Sequence, residues 1–578
     1  MSQKWRPAPL PAPALPGWIS MVKTSWRGDL VAGITLWGLV VPEVIAYAGL
    51  AGLPPTSGVW ALIIILPVYA IWGRSRHLVA SPSSAIAATT GGLIAAMSVS
   101  DPVRAAAAVT ITVGLVYLIA YVLRLGTLVH FISDPINAGF MFGLAVFIVV
   151  SQANKLLGIE GTSGTAVDRI VHLAAHLGET NWVTVALSVA GFALMLGIPR
   201  LSPRLPAGLT MIVLLSVLVA GLQLKDRFEV DTPGPIPTGL PALEMPEFSL
   251  GDVPLLVFGA VGIVLLAFSE ATAVARSIAE RSGYDYDADK DLFAFGIGNV
   301  LSGMVGGLAG AGSMTSSSTN ETAGARTQLS TVVTAAAAMI TVLFFGAAVA
   351  NLPEAALAVL IIMAVRNHLS LSFVPRIMRF SRPEALISLL AAAGVLVLGV
   401  LDGLLVAMAV SLVWLVVRTM TADYVTIGQH RTRPDLLVSP ESAYFQPLPP
   451  GMAGIRFTGL IFYANVERAL QVIEDQVSGP HGSLVEPVNR VVVIDLVDVG
   501  FVDYTTAKNA LGLTKRLDNR GVTVVFVGIK PVIIERLEEF GRIPGNVILL
   551  PDTDLAPVIA ELDDLDADPP RRPDPDQS

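Results

Sequence analysis

The sequence holds no cysteine in its 578 residues. Disulfides and cysteine-ligated metals are therefore excluded. Charge is scarce too, at 14% of residues, where a soluble chain of this size would carry about a quarter. Positive charge is the scarcer sign. The net charge of −9 argues against a nucleic-acid partner, and much of the acidity sits in the tail, at Asp552, Asp554, Glu561, Asp563, Asp564, Asp566 and Asp568. The N-terminal stretch runs from Lys4 and Arg6 through a Pro/Ala segment to Pro16 and lacks the apolar core of a signal peptide. No hydrolytic or metal motif is present, so neither an enzyme nor a cofactor is expected.

What the chain has is apolar surface. Hydrophobic residues make up 53% and the mean hydropathy is +0.67, an excess best explained by lipid contact. From residue 30 to 420 apolar runs alternate with short Gly/Pro/Arg breaks. Runs at 30–50, 106–123, 183–196, 210–220, 331–350 and 386–400 approach the roughly 20 residues that a spanning helix needs. Those at 183 and 210 are short unless their flanks continue the helix. With two unusually short segments included, the count is about fourteen. With the N-terminus inside, the inner breaks hold Arg74, Arg76, Arg124, Arg200, Arg204, Arg276, Arg281, Lys290, Arg326, Arg366, Arg376, Arg379, Arg382 and Arg418. The outer ones keep Arg104, Lys155, Arg169, Lys225 and Arg227. This bias places both termini in the cytoplasm, with residues 366–382 read as a solvated inner loop.

The texture changes after residue 421. Residues 425–450 read as a polar, Pro-bearing linker. Residues 455–457 and 460–463 read as strand-like, 466–477 as a helix, and RVVVIDL (490–496) and VTVVFVG (522–528) as buried parallel strands. Between the last two, residues 505–517 have helical spacing with Asp503 placed as N-cap. Alternating strands and helices imply one soluble α/β domain. The residues from 566 on are expected to be disordered.

Two glutamates fall inside apolar runs, where a charge is costly and therefore a functional candidate. Glu43 sits in PEVIAYA (42–48) and Glu270 in SEATAVA (269–275), two segments that echo each other. Roughly 40 residues after each comes a segment too short or too polar for an ordinary span. One opens with Ser81, Pro82, Ser83 and Ser84 and ends near Met97; the other opens with Thr315, Ser316 and Ser317 and stops at Gly324. Paired interrupted segments in two halves are the pattern of an inverted-repeat transporter, whose half-helices aim unpaired N–H groups at an anion. Serine and threonine hydroxyls there would add donors, or else bond back to their own helices. Tyr47, a turn beyond Glu43, fits packing as well as binding. The site as read from sequence has two carboxylates and no basic residue, so an anion enters only if a carboxylate is protonated or paired with a cation. The face of Glu270 carries Leu266, Ala267, Ala273 and Val274 with no second oxygen ligand, which favours a proton over sodium.

At these residues the chain resembles the sulfate permease (SulP) family. The resemblance is carried by RGDLVAGITLWGLVVPEVIAYAGLAGLPPTSGVWALIIILPVYAIWGRSRHLVASPSSAIAA (27–88) and GLAGAGSMTSSSTNETAGARTQLS (307–330). The soluble domain resembles STAS, the sulfate transporter and anti-sigma factor antagonist domain. The resemblance implies a polytopic α-helical protein with fourteen spans in a 7+7 inverted repeat, a moving core, a gate and a homodimer. It implies a substrate site at Glu43, Tyr47, Ser83, Ser84, Thr315 and Ser316, with Glu270 as the cation-coupling acid. Two departures stand out: many members have Gln in place of Glu43 and a basic residue in place of Ser316. Thr505, near the position of a phosphorylated serine in some STAS relatives, is either a regulatory site or part of a helix N-terminus.

The expected domains are an N-terminal segment (1–26), a transport domain (27–424), the linker (425–450), a cytoplasmic STAS domain (451–565) and a tail (566–578). The expected protein is a multi-pass transporter of the plasma (inner) membrane, bacterial in character, that symports an inorganic anion of the sulfate type with protons by alternating access. Alternatives are a sodium-coupled bicarbonate or dicarboxylate transporter, an anion channel, or an anion sensor signalling through a cytoplasmic regulator of the STAS domain.

Overall fold

A computed structural model describes residues 15–126, 134–162, 164–202, 206–232, 241–349, 352–420, 423–478, 490–539, 544–550 and 555. The first fourteen residues, the expected disordered tail and its acidic cluster, and Arg204 lie outside the described residues. The chain divides into two compact units between Leu412 and Val413.

The first unit begins with α1 (Leu15–Leu50), α2 (Pro55–Trp72), the short strand β1 (Ala80–Ser81), α3 (Ser84–Ala96), α4 (Pro102–Val122) and α5 (Asp134–Leu157). It continues with α6 (Ala166–Ala175), α7 (Trp182–Leu201), α8 (Ala207–Gly221) and the short α9 (Leu224–Phe228). Then the order repeats. α10 (Val253–Ser282) matches α1, α11 (Ala288–Gly303) matches α2, β2 (Ala311–Gly312) matches β1 and α12 (Met314–Thr322) matches α3. After them α13 (Leu329–Val349), α14 (Glu354–Val365), α15 (Phe373–Phe380), α16 (Arg382–Leu398) and α17 (Val400–Thr419) answer α4 to α8. Leaving out the small helices α6, α9 and α15, each series has seven spanning elements. An odd number sends the second series into the membrane from the opposite side, so the repeat is inverted. Among the described residues eight helical stretches are long and apolar enough to cross a membrane, one of them running from α14 through α15, and three more helices are apolar but shorter. The flanks continue the run at 183 to the 20 residues of α7, whereas the run at 210 extends only to the 15 residues of α8.

The repeats are interlocked. α4 packs on α10 and α11, and its counterpart α13 packs on α1 and α2. The strands pair antiparallel, Ala80 opposite Gly312 and Ser81 opposite Ala311. Two carboxylates tie the halves reciprocally. Asp29 of α1, fully buried, accepts from the Arg326 and Thr327 amides just after α12 (2.7 and 3.0 Å) and from the Thr327 hydroxyl (2.8 Å). Asp252, which immediately precedes α10, accepts from the Ser98 amide just after α3 at 3.3 Å. Each half-helix is thus followed by a turn capped by the other repeat, which satisfies backbone donors that would otherwise be buried unpaired. A second group of helices packs among itself, with α5 against α14 and α16, and α7 against α8 and α14.

The segment read as a solvated loop at 366–382 is instead a 3-10 turn, Arg366–His368, followed by α15. Its charge had hidden the apolar spacing of Phe373, Ile377 and Phe380.

In the second unit one sheet runs in the order β10-β9-β8-β7-β3: Val547–Leu550, Thr523–Val527, Val491–Asp495, Met452–Phe457 and Tyr424–Thr426. The first four strands are parallel and β3 closes one edge antiparallel. Helices α18 (Val466–Ser478), α19 (Tyr504–Asp518) and α20 (Pro531–Glu539) alternate with the strands. Buried residues of β7 and β8 line a core shared with α18 and α19. The expected linker is ordered: β4 (Gly428–His430) pairs with β5 (Arg433–Val438) and β6 (Phe445–Gln446) in a small antiparallel sheet. Strands this short, in polar sequence, leave no readable alternation. The strand expected at 460–463 is a turn, because Asn465 accepts from the Phe462 amide (2.9 Å) and donates to the Leu460 carbonyl (2.8 Å).

Candidate functional site

The site starts from the two short strands. Residue 79 is held by α12: the Val79 amide donates to the Ser317 hydroxyl (2.9 Å), and its carbonyl accepts from the Ser313 amide (3.0 Å). Asn320 of the same helix donates to the His77 carbonyl (3.1 Å). On the opposite approach, the fully buried Asn299 of α11 clasps Gly310 in both directions at 2.8 Å. With both approaches pinned, β1 and β2 deliver the chain directly into α3 and α12.

The two helix starts are built alike. Ser83 caps α3 by accepting from the Ile86 amide, and Ser313 caps α12 by accepting from the Ser316 amide, each at 3.4 Å. Because the strands run antiparallel, the helices depart in opposite directions and their N-terminal ends meet at the strand pair. Two positive dipole ends therefore share one buried region. The Ser81 hydroxyl is buried there without a protein partner.

Around this junction Glu43 is buried, 6% exposed, and the Ser316 side chain lies close enough to interact with its carboxyl. Pro42 breaks the α1 ladder one residue earlier. α2 presses in from behind, where a Cβ on Gly58 would lie 1.9 Å from the Val44 carbonyl oxygen. Tyr47 is buried in the second hydrophobic core, close enough to Glu43 and Glu270 to interact with both charges. Ser83 and Ser84 are half-buried. Thr315 and Ser316 part company: Thr315 is exposed, whereas Ser316 is 1% exposed and within 3.0 Å of the Ser313 hydroxyl.

Glu270, half-buried on α10, opens on a cavity of about 350 Å³. Asp134 and Asn137 of α5, Ser269, Thr272 and Arg276 of α10, Met314 of α12 and His368 also line it. Two sequence expectations are corrected here. Oxygen-bearing side chains do accompany Glu270: Ser269 and Thr272 from α10 itself, and Asp134 and Asn137 from α5, which sequence cannot align with α10. A basic residue is also present, since Arg276 is not in an inner break but within α10. Its signal was the spacing 266, 269, 273, 276, which puts Leu266, Ser269, Ala273 and Arg276 on one helical stripe. Arg276 makes no ion pair among the described residues. Among the described residues no cluster of His, Asp and Glu is arranged to hold a metal ion.

Thr505 is exposed in the first turn of α19, whose cap is Asp503, accepting from the Thr506 amide at 2.8 Å.

Known proteins agree with this architecture. Residues 26–391 match the sulfate permease family and residues 448–544 the STAS domain. A probable sulfate transporter of Mycobacterium tuberculosis is 31% identical over 88% of this chain and 90% of its own length. A probable sulfate transporter of Arabidopsis thaliana is 26% identical over 89% and 84%. In fold, the chain matches the murine anion transporter Slc26a9 in its inward-facing state with a TM-score of 0.85, 19% identity and coverage of 95% and 94%. The transmembrane domain of the cyanobacterial bicarbonate transporter BicA matches 67% of this chain and 97% of its own, with a TM-score of 0.59 and 23% identity. On the match across most of its membrane unit and on the Mycobacterium relative, the chain belongs to the sulfate permease family and carries a C-terminal STAS domain.

Proposed function

We propose that this family member carries an inorganic anion of the sulfate type across the membrane by alternating access, coupled to a proton at Glu270. The observation that carries the reading is the meeting of two half-helix N-termini beside two carboxylates. The dipole ends attract an anion, and the carboxylates repel it unless a cation or proton neutralises them. Binding of the two charges is therefore mutually dependent, which is the thermodynamic basis of coupled transport. Sulfate is the substrate named for the Mycobacterium and Arabidopsis relatives. In this reading α1–α4 and α10–α13 form the moving core, and α5, α7, α8, α14, α16 and α17 the gate. Ser83, Ser84, Thr315, Ser316, Glu43 and Tyr47 surround the anion, while the STAS domain faces the cytoplasm of a dimer in the bacterial inner membrane.

A sodium-coupled variant is favoured by one observation: Asp134, Asn137, Ser269 and Thr272 bring oxygens to the cavity of Glu270, as a hard cation requires. Uptake of labelled sulfate and bicarbonate into liposomes, under a pH gradient or a sodium gradient, separates the two. Uptake should rise as external pH falls and be indifferent to sodium. Glu270→Gln should exchange anion yet lose accumulation driven by the pH gradient. Glu43→Gln should alter anion preference more than coupling. Coupling lost at Glu43 and kept at Glu270 would reverse the assignment, and dependence on sodium alone would remove the proton.

A further inference from the structure

The small helices α6 and α15 occupy equivalent places in the two repeats, each between the fifth and sixth spans, and inversion puts them on opposite membrane faces. Both are amphipathic, but their charges are used differently. In α6, Asp168 is taken up by a capping box with Thr165. Arg169 donates to the Gly164 carbonyl at 3.1 Å and lies 5.3 Å from the Phe147 ring centroid. In α15 and the first residue of α16 there are three arginines, Arg376, Arg379 and Arg382, and no acid from residue 366 to 383. All three are exposed, and none makes an ion pair among the described residues.

α15 has no buried residue. Its apolar stripe of Phe373, Ile377 and Phe380 is tethered at one end, where the Phe373 ring lies 6.0 Å from that of Phe142 on α5. At the other end Phe380 is 88% exposed. The helix joins the end of one span, α14, to the start of the next, α16, so it lies at a membrane boundary. An apolar stripe flanked by unpaired arginines at that depth suits the headgroup region of an anionic leaflet. Water alone would leave the stripe exposed, with Phe380 at 88%.

We propose that α15 is a lipid-docking surface: Arg376, Arg379 and Arg382 bind anionic phospholipid headgroups while Phe380 enters the acyl boundary. The segment just before it carries His368, which lines the cavity of Glu270. The leaflet thereby holds one wall of that cavity in place.

The test uses the full chain in nanodiscs of mixed phosphatidylcholine and phosphatidylglycerol, purified and then stripped with detergent. The ratio of retained lipids is read by mass spectrometry. Wild-type protein should retain phosphatidylglycerol preferentially, and the preference should fall about fivefold for each arginine replaced by glutamine. Raised salt should weaken it. Lys225→Gln with Arg227→Gln, on α9, should leave it unchanged. If the triple arginine variant does not insert, Arg379→Gln alone carries the same fivefold expectation. Equal retention by wild type and arginine variants would overturn the proposal. So would an equal loss in the α9 variant, or displacement of the lipid by free glycerol phosphate, which would make the arginines a site for soluble phosphate.

Discussion

Thr315 and Ser316 stand side by side in a run of hydroxyl residues that sequence cannot tell apart. The first turn of α12 separates them, exposing Thr315 and burying Ser316 between Ser313 and Glu43. A large side chain at Ser316 would overpack a filled space at a cost of about 1–3 kcal/mol, so lost uptake there would not distinguish a binding role from misfolding. Thr315→Trp is the cleaner test. It should leave the thermal melt unchanged and abolish anion uptake into liposomes; normal transport would make this hydroxyl cluster structural only. Ser316→Ala should keep the fold but lose the hydrogen bond to Ser313, a cost of about 1 kcal/mol in stability read as a lowered thermal melt. Glu43 and Glu270 stood out as candidates because an acid within an apolar run is costly wherever the helix packs. Arg276 was not, because a basic residue near a helix end resembles a topology signal until the helix is seen to continue to Ser282.

At the scale of elements, the half-helices could be read because they fail as spans. α3 is short, and α12 is polar along most of its length. The linker could not be read, since three short strands stabilise one another only as a sheet. Capping is more local and hence more legible, as α19 illustrates. Partial burial works to raise the pKa of Asp503, but the amides of Thr506 and Tyr463 donate to it and hold it below the usual carboxylate range. A depressed folded-state pKa means its stabilisation is fully present above the unfolded value, about 4. The contribution is lost as pH falls from there through the folded value. Asp503→Ala should destabilise the STAS domain by about 1 kcal/mol near neutral pH, measured by denaturant unfolding of the full chain. The difference from wild type should shrink as the medium is acidified below that range; a difference independent of pH would mean that the cap acts without its charge. A phosphate on Thr505 would add negative charge at the same helix end, where the dipole favours it.

For the whole molecule, the distribution of Lys and Arg makes a prediction about sidedness. Protease added to intact spheroplasts should spare the STAS domain, and protease added to inverted vesicles should release it. Cleavage after residue 421 from outside would reverse the orientation. The internal echo around Glu43 and Glu270, the two failed spans and the β-α alternation all depend on residues close together in the chain. Local composition and spacing therefore determined by themselves that this protein is a membrane-spanning inverted repeat with an α/β domain at its end. Convergence was another matter. That Asp29 caps the turn after α12, that Ser316 meets Glu43, and that α5 carries Asp134 and Asn137 into the cavity of Glu270 was decided by tertiary structure alone. The physical reason is the interlocking: each repeat completes its packing only against the other, so partners in the site lie on elements that no local pattern relates.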